Sequence, residues 1–203
     1  MKLKKLMFGA VVLMMVSGVC TARDVEDDDF RDHSDSSSSA SGLGFVVSGA
    51  FEFGGDKVAT VVYTDGSTQS VNAGQGVSLA IGGHYRFSSI PLDIMTTVGY
   101  KYVTSKASNA NIYIGRVVPA LQVSYWFTDA WWVGVGPTMH LNNEFRGGQF
   151  VQNIKFKPAL GATLQAGWKW VALSYTNIKY TSDDAFQAKY DASNFGLALI
   201  GRF

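Results

Sequence analysis

The sequence predicts an all-β fold: a closed, eight-stranded antiparallel transmembrane β-barrel with short turns at one end and long loops at the other. Three observations carry that prediction. Apolar and polar residues alternate with period two from Leu43 onward. Short and long connections between the alternating segments alternate strictly. Aromatic residues gather beside the short connections, as an interfacial girdle requires. The 203 residues, 47% hydrophobic with 22 glycines and 4 prolines, suffice for one domain with a real core.

At the start, MKLKKLMFGAVVLMMVSGVCTA joins a lysine-rich segment to an apolar run from Leu6 to Val16 and then small residues, so residues 1–22 read as a secretory signal peptide with the mature chain starting at Arg23. The run is shorter than the roughly 20 apolar residues a spanning helix needs. Cys20 is the only cysteine, which excludes an intramolecular disulfide. Ser17, Gly18 and Val19 before it fit poorly with a lipid-attachment signal. Residues 23–42 hold seven acids and two bases among many serines, too little apolar content to offset ordering entropy, and read as a disordered acidic arm. A formal net charge of +1 gives no basis for a nucleic-acid surface.

The barrel then occupies 43–203, with strands expected near 43–54, 75–87, 91–103, 111–127, 131–142, 154–168, 170–180 and 194–203. The clearest alternation places Ile154, Phe156, Pro158, Leu160, Ala162, Leu164, Ala166 and Trp168 on one face, with Lys155, Lys157, Thr163 and Gln165 on the other. Val77 to Phe87 repeats it. Pro119, Pro137 and Pro158 cannot donate to a ladder, so bulges or displaced strand ends are expected there.

The short turns are Ser88–Ile90, Thr128–Ala130 and Lys169; the long loops span about 55–74, 104–110, 143–153 and 181–193. Tyr85, Phe87, Trp126, Phe127, Trp131, Trp132, Trp168 and Trp170 lie beside the short turns, and Phe87, Phe127, Trp131 and Trp168 are expected in the outward girdle. The chain ends NFGLALIGRF, with Phe195, Leu197, Leu199 and Phe203 on one face. On these features the chain resembles the small eight-stranded bacterial outer-membrane barrels of the OmpA, OmpX, OmpW and opacity-protein type. The resemblance implies an integral outer-membrane location, periplasmic turns and arm, extracellular loops, contact with outer-membrane lipid and lipopolysaccharide, and recognition of the last strand by the outer-membrane assembly machinery. Closure has a physical reason as well, since backbone groups facing lipid must all be paired.

Inward positions include Glu52, His84, Arg86, Asp93, Lys101, Arg116, Gln122, His140, Lys155, Lys157, Gln165 and Arg202. An eight-stranded interior is just wide enough for side chains to fill, so a polar network of Glu52, Arg86, Asp93, Lys101, Arg116, His140 and Lys157 is expected rather than an open pore. Arg86 should pair with Asp93 across the first short turn. Glu52, Lys101, Arg116, His140 and Lys157 share the upper half, either as an anion-attracting mouth or as an internally satisfied network. His84 and His140 stand at different heights and cannot share a metal; no metal or cofactor site is expected. Ser124 shares a layer with His84 and Asp93 without a nucleophile elbow.

The segment LSYTNIKYTSDD is similar in position to the His-x-Ser-Asn segment of outer-membrane lipid A deacylases, but Ser174, Tyr175, Thr176 and Asn177 replace it, so the base is absent. The functional expectation is a non-enzymatic barrel serving envelope integrity, surface interaction or limited solute passage; the alternative is a lipid-modifying enzyme with a different active site. The 55–74 loop contains a hairpin signal around Asp65-Gly66, either a merely structured loop or a protruding edge that could meet a surface partner.

Overall fold

A computed structural model describes residues 42–62, 67–106, 111–147 and 151–203. The leader, Cys20 and all but the last residue of the acidic arm lie outside the described residues. The barrel wall consists of β1 (Gly42–Phe53), β4 (Gly76–Arg86), β5 (Leu92–Lys106), β6 (Asn111–Trp126), β7 (Trp131–Gly147), β9 (Ala159–Trp168), β10 (Val171–Asn177) and β13 (Asn194–Arg202). Each pairs antiparallel with its neighbours in the order β6-β5-β4-β1-β13-β10-β9-β7, and β7 returns to β6, closing eight staves. β2 (Lys57–Val62) and β3 (Thr68–Asn72) pair antiparallel within the 55–74 segment, as its pattern led one to expect, while the Asp65-Gly66 turn signal lies outside the described residues. β8 (Val151–Lys155) continues β9 beyond a break, and β11 (Lys179–Thr181) pairs with β12 (Lys189–Asp191).

β1 and β13 close the barrel over eight register pairs from Val46↔Arg202 to Phe53↔Phe195, and Phe203 extends that seam. Phe45 N donates to the Phe203 carbonyl at 2.9 Å, Phe203 N returns a bond to Phe45 O at 3.0 Å, and the two rings stack with centroids 4.8 Å apart. Turns at the short end are tight for stated reasons: Thr128 Oγ1 accepts from Ala130 N and Trp131 N, and Lys169 adopts φ 51° to reverse the chain in two residues.

Alternation sends apolar side chains outward. Leu160, Leu164 and Trp168 on β9 are 69%, 55% and 45% exposed, and Phe195, Leu197, Leu199 and Phe203 are exposed on the same outer surface. A contiguous apolar belt of this extent around a sheet without edges is a surface that hydrocarbon covers. Replacing Leu164, midway along β9, with Arg should therefore cost about 2–4 kcal/mol in urea unfolding from lipid vesicles. Phe186→Arg, in the loop between β11 and β12, should stay within about 0.5 kcal/mol. Equal small effects at both positions would contradict a lipid-facing β9.

Two departures from the expected pattern shape the interior. The β6–β7 register is unchanged across Pro119 and Pro137, with Val117↔Leu141, Ala120↔Thr138 and Val123↔Val135, so neither proline makes a bulge. The bulge lies above them, where Asn142 at φ 49° and Asn143 together oppose Arg116 between Gly115↔Glu144 and Val117↔Leu141. Asn tolerates this left-handed backbone better than most residues. The extra residue reverses the phase, so His140 faces inward below it and Asn143 and Phe145 face inward above it.

The second departure is at Pro158. There the strand breaks between β8 and β9; Phe156 bridges to Ser182 and Lys157 N donates to Thr181 O. The phase reverses again, burying Phe156 and exposing Lys155 and Lys157. The strands also run taller than expected: 104–106, 143–147 and 151–153 are β-structure, and Phe145 on this added length packs with Ile112 and Ile114 into an apolar cap.

Candidate functional site

The interior holds two polar layers separated by a cavity. In the lower layer Asp93, at the start of β5 and fully buried, receives the His84 Nδ1 contact at 3.0 Å, with Arg202 Nε 3.9 Å from the same oxygen. Arg86 aligns with Asp93 in the strand register, as anticipated, yet its guanidinium lies 4.4 Å from the Trp126 ring centre. The expected Arg86–Asp93 ion pair is thus replaced by His84–Asp93 and Arg202–Asp93. Trp126 and Trp132 turn inward, and their π-faces draw both arginines: Arg202 lies 4.5 Å from Trp132 and 5.2 Å from Trp126.

The aromatic cluster at the short-turn end therefore divides. Phe127, Trp131 and Trp168 of the expected girdle are exposed on the outer face together with Tyr85 and Trp170, and Phe87 is half-buried edge-on to Tyr85. Trp132 instead lies flat over Gly167, whose missing side chain is what admits the ring, and donates from Nε1 to Lys169 O at 3.1 Å.

Ser124 does not complete a triad. It pairs opposite Asp93 on the β6 side, whereas His84 Nε2 points to Gly44 on β1, where an added Cβ would lie 2.5 Å from it. The histidine's free nitrogen and the serine are on opposite sides of the carboxylate.

Above this layer is a cavity of about 120 Å³, lined in part by Ser48, Ser78, Thr97, Gln122, Thr138, Gln165 and Ser174. Its volume admits about four water molecules, and hydroxyl and amide groups suited to binding them line it. Thr163 and Thr176 hydrogen-bond across its wall at 3.0 Å.

In the upper layer Lys101 and Arg116 are adjacent in register and are 1% and 0% exposed. Lys101 Nζ is 3.0 Å from Glu52 Oε2 and donates to Gly74 O at 2.7 Å; Arg116 Nη2 donates to Gln75 O at 2.9 Å. The chain between β3 and β4 is thereby drawn down onto the two cations. His140 Nδ1 hydrogen-bonds the Tyr180 hydroxyl, and Tyr180 also lies against Arg116 and Phe156. Glu52, Lys101, Arg116 and His140 lie together in this layer, whereas the break at Pro158 turns Lys157 outward. Tyr180 and the Gly74 and Gln75 carbonyls were not anticipated. The signal for Tyr180 was present in the alternation Ala172, Ser174, Thr176, Ile178, Tyr180, which continues into the supposed loop.

Ile112, Ile114, Phe145, Phe156, Ile178 and Tyr180, with Val71 and Ala73 from the β2–β3 region, close the long-loop end. Beyond this cap Asp191 accepts from Ser193 N at 2.7 Å, and hydrogen bonds from Ser193 hold its carboxyl below the ordinary range. In the deacylase-like segment Thr176, at the nucleophile's place, faces the lumen and is bound to Thr163, while Asn177 faces outward. A hydroxyl inside the barrel cannot reach a lipid ester outside it. No cluster of three or more metal-ligating side chains occurs among the described residues.

An edgeless eight-stranded barrel, apolar outside and polar within, defines a small integral barrel of the outer-membrane type. No family model and no curated protein matches the chain. Among solved structures it is similar to Ail, the attachment invasion locus protein of Yersinia pestis, in complex with the heparin analogue sucrose octasulfate, at 10% identity and a TM-score of 0.43, over 80% of this chain and 99% of that one. It is similar also to Neisserial surface protein A, at 12% identity and a TM-score of 0.41, over 78% of this chain and 97% of that one.

Proposed function

We propose that the chain is a non-enzymatic integral protein of the bacterial outer membrane that serves the envelope as a closed barrel. In this reading the short turns face the periplasm and the long-loop end faces the exterior. The observation that carries it is the filled lumen: an ion-paired layer at each end and an apolar cap above leave an internal volume of only about 120 Å³ between them. Among the three expected roles this favours envelope integrity and surface interaction over solute passage. The outward row Phe195, Leu197, Leu199 and Phe203 is the face offered to the assembly machinery and then to lipid. A surface partner would meet the β2–β3 hairpin, whose Thr68, Gln69 and Ser70 are exposed.

Reconstituted in planar bilayers, the barrel should give no resolved conductance steps while running as a heat-modifiable band in SDS gels. Stable steps from fully folded protein would overturn the closed reading. Lipid A from cells with and without the protein should have identical acyl composition by mass spectrometry; a missing or added acyl chain would establish the enzyme alternative.

A further inference from the structure

We propose that a groove on the outer wall, at the upper edge of the apolar belt, binds the uncharged sugar head group of a membrane glycolipid, a site that rests on the membrane reading above and gives it a ligand. The groove has a volume of about 630 Å³ and lies across the outward sides of β5 to β8. That is the size of a small-ligand site. Its floor is Gly115, where a side chain would take the place at which the Tyr100 and Tyr113 hydroxyls converge. Opposite Gly115 in register stands Glu144, whose Oε2 accepts from Arg146 Nη2 at 2.9 Å. Asn153 Oδ1 accepts from Gly147 N at 3.1 Å, which fixes that amide and leaves its Nδ2 to donate. Asn142 completes the lining. Alternation would send the residue after Leu141 inward; the bulge, with Asn142 at φ 49°, sends it outward instead. Bulges re-aim side chains in this way beside functional sites.

The chemistry of the lining selects the ligand. Glu144 and Arg146 cancel each other's charge, and Lys155, opposite Glu144 on β8, stands outside the lining. Neither an anion nor a cation finds an unpaired counter-charge there. A sugar ring offers C–H faces to the phenol rings, and around its edge it offers hydroxyls that donate and accept at once. The carboxylate accepts from such hydroxyls, the guanidinium donates to them, and the two amides do both. Height selects the source of the sugar. Trp131 and Leu141 on β7 are ten residues apart, about 25 Å of height at a rise of ~3.3 Å and a tilt of ~40°, which is the height of an outer-membrane apolar band. The groove opens where that band ends. Below it Val98 on β5 and Met139 on β7 are exposed, a surface on which the acyl chains of the same molecule lie.

The test extracts the full barrel from bilayers holding equal amounts of monoglucosyl diacylglycerol and phosphatidylcholine with the same acyl chains, and reads the retained lipid by native mass spectrometry. The glycolipid should be retained in about tenfold preference, the worth of two or three net hydrogen bonds. Gly115→Leu, which fills the floor, should abolish that preference. Phe53→Ala should keep it, since Phe53 is an exposed aromatic at the upper end of β1, three strands from β6. A preference unchanged in Gly115→Leu, or lost equally in Phe53→Ala, would make it a general property of interfacial aromatics and overturn the groove. The unaltered chain decides the matter even where Gly115→Leu does not fold. Equal retention of both lipids by a heat-modifiable barrel would sink the groove and leave the membrane reading intact, whereas a chain that takes up neither lipid loses both. Methyl glucoside, a head group without a tail, should compete weakly; full displacement at equal concentration would make this a site for free saccharide and refute the glycolipid.

Discussion

Asp93→Asn is expected to cost about 3–5 kcal/mol of barrel stability, measured by urea unfolding from lipid vesicles, because it removes the one acid buried among His84, Arg86 and Arg202. The carboxylate has no solvent contact, and its loss leaves Arg202 enclosed against Trp126 and Trp132 without a counter-charge. Arg86→Gln should cost only ~1 kcal/mol, since Arg86 is held by its stack on Trp126 rather than by Asp93. The comparison separates the observed pairing from the one that strand register alone suggests. Arg86→Gln as damaging as Asp93→Asn, with Arg202→Gln neutral, would show that the register pair is the true one.

Glu52→Gln should be comparably severe, about 3–5 kcal/mol, because it strips the upper layer of its acid and leaves Lys101 and Arg116 facing each other. Lys101→Met should cost less, as the Glu52 carboxylate then has Arg116 as its remaining cation. The double variant Glu52→Gln, Lys101→Met should recover a substantial part of the loss, a positive coupling of the kind neighbouring charges show. Strictly additive losses, measured by the same unfolding titration, would mean that Glu52 and Lys101 do not act on each other.

Strand alternation was legible wherever the ladder ran unbroken. Leu160 to Trp168, Val77 to Arg86 and the last strand each gave the correct inside and outside from residue type alone, because one wall faces apolar surroundings and the other polar ones. What failed was phase across interruptions. Extending the β9 alternation through Pro158 put Phe156 outside and Lys157 inside, the reverse of what is found. Asn142-Asn143 hid a second reversal in a segment whose polarity reads as loop. The upper polar layer was half visible: Glu52, Lys101, Arg116 and His140 follow from strand counting, while Gly74 and Gln75 contribute backbone oxygens, which leave no mark in side-chain patterns. The Arg86–Asp93 expectation had the right register and the wrong partner, because Trp126 competes for the guanidinium.

The central claim is that even-numbered residues of β9 meet hydrocarbon and odd-numbered ones the lumen. Nitroxide labels placed one at a time, each as the sole cysteine, at Ala162, Thr163, Leu164, Gln165 and Ala166 of the barrel in liposomes test it directly. The labels at 162, 164 and 166 should collide readily with dissolved oxygen and poorly with a polar nickel chelate, and those at 163 and 165 should be shielded from oxygen. Oxygen contact at 163 and 165, with 162, 164 and 166 protected, would turn the barrel inside out and contradict every functional statement built on it.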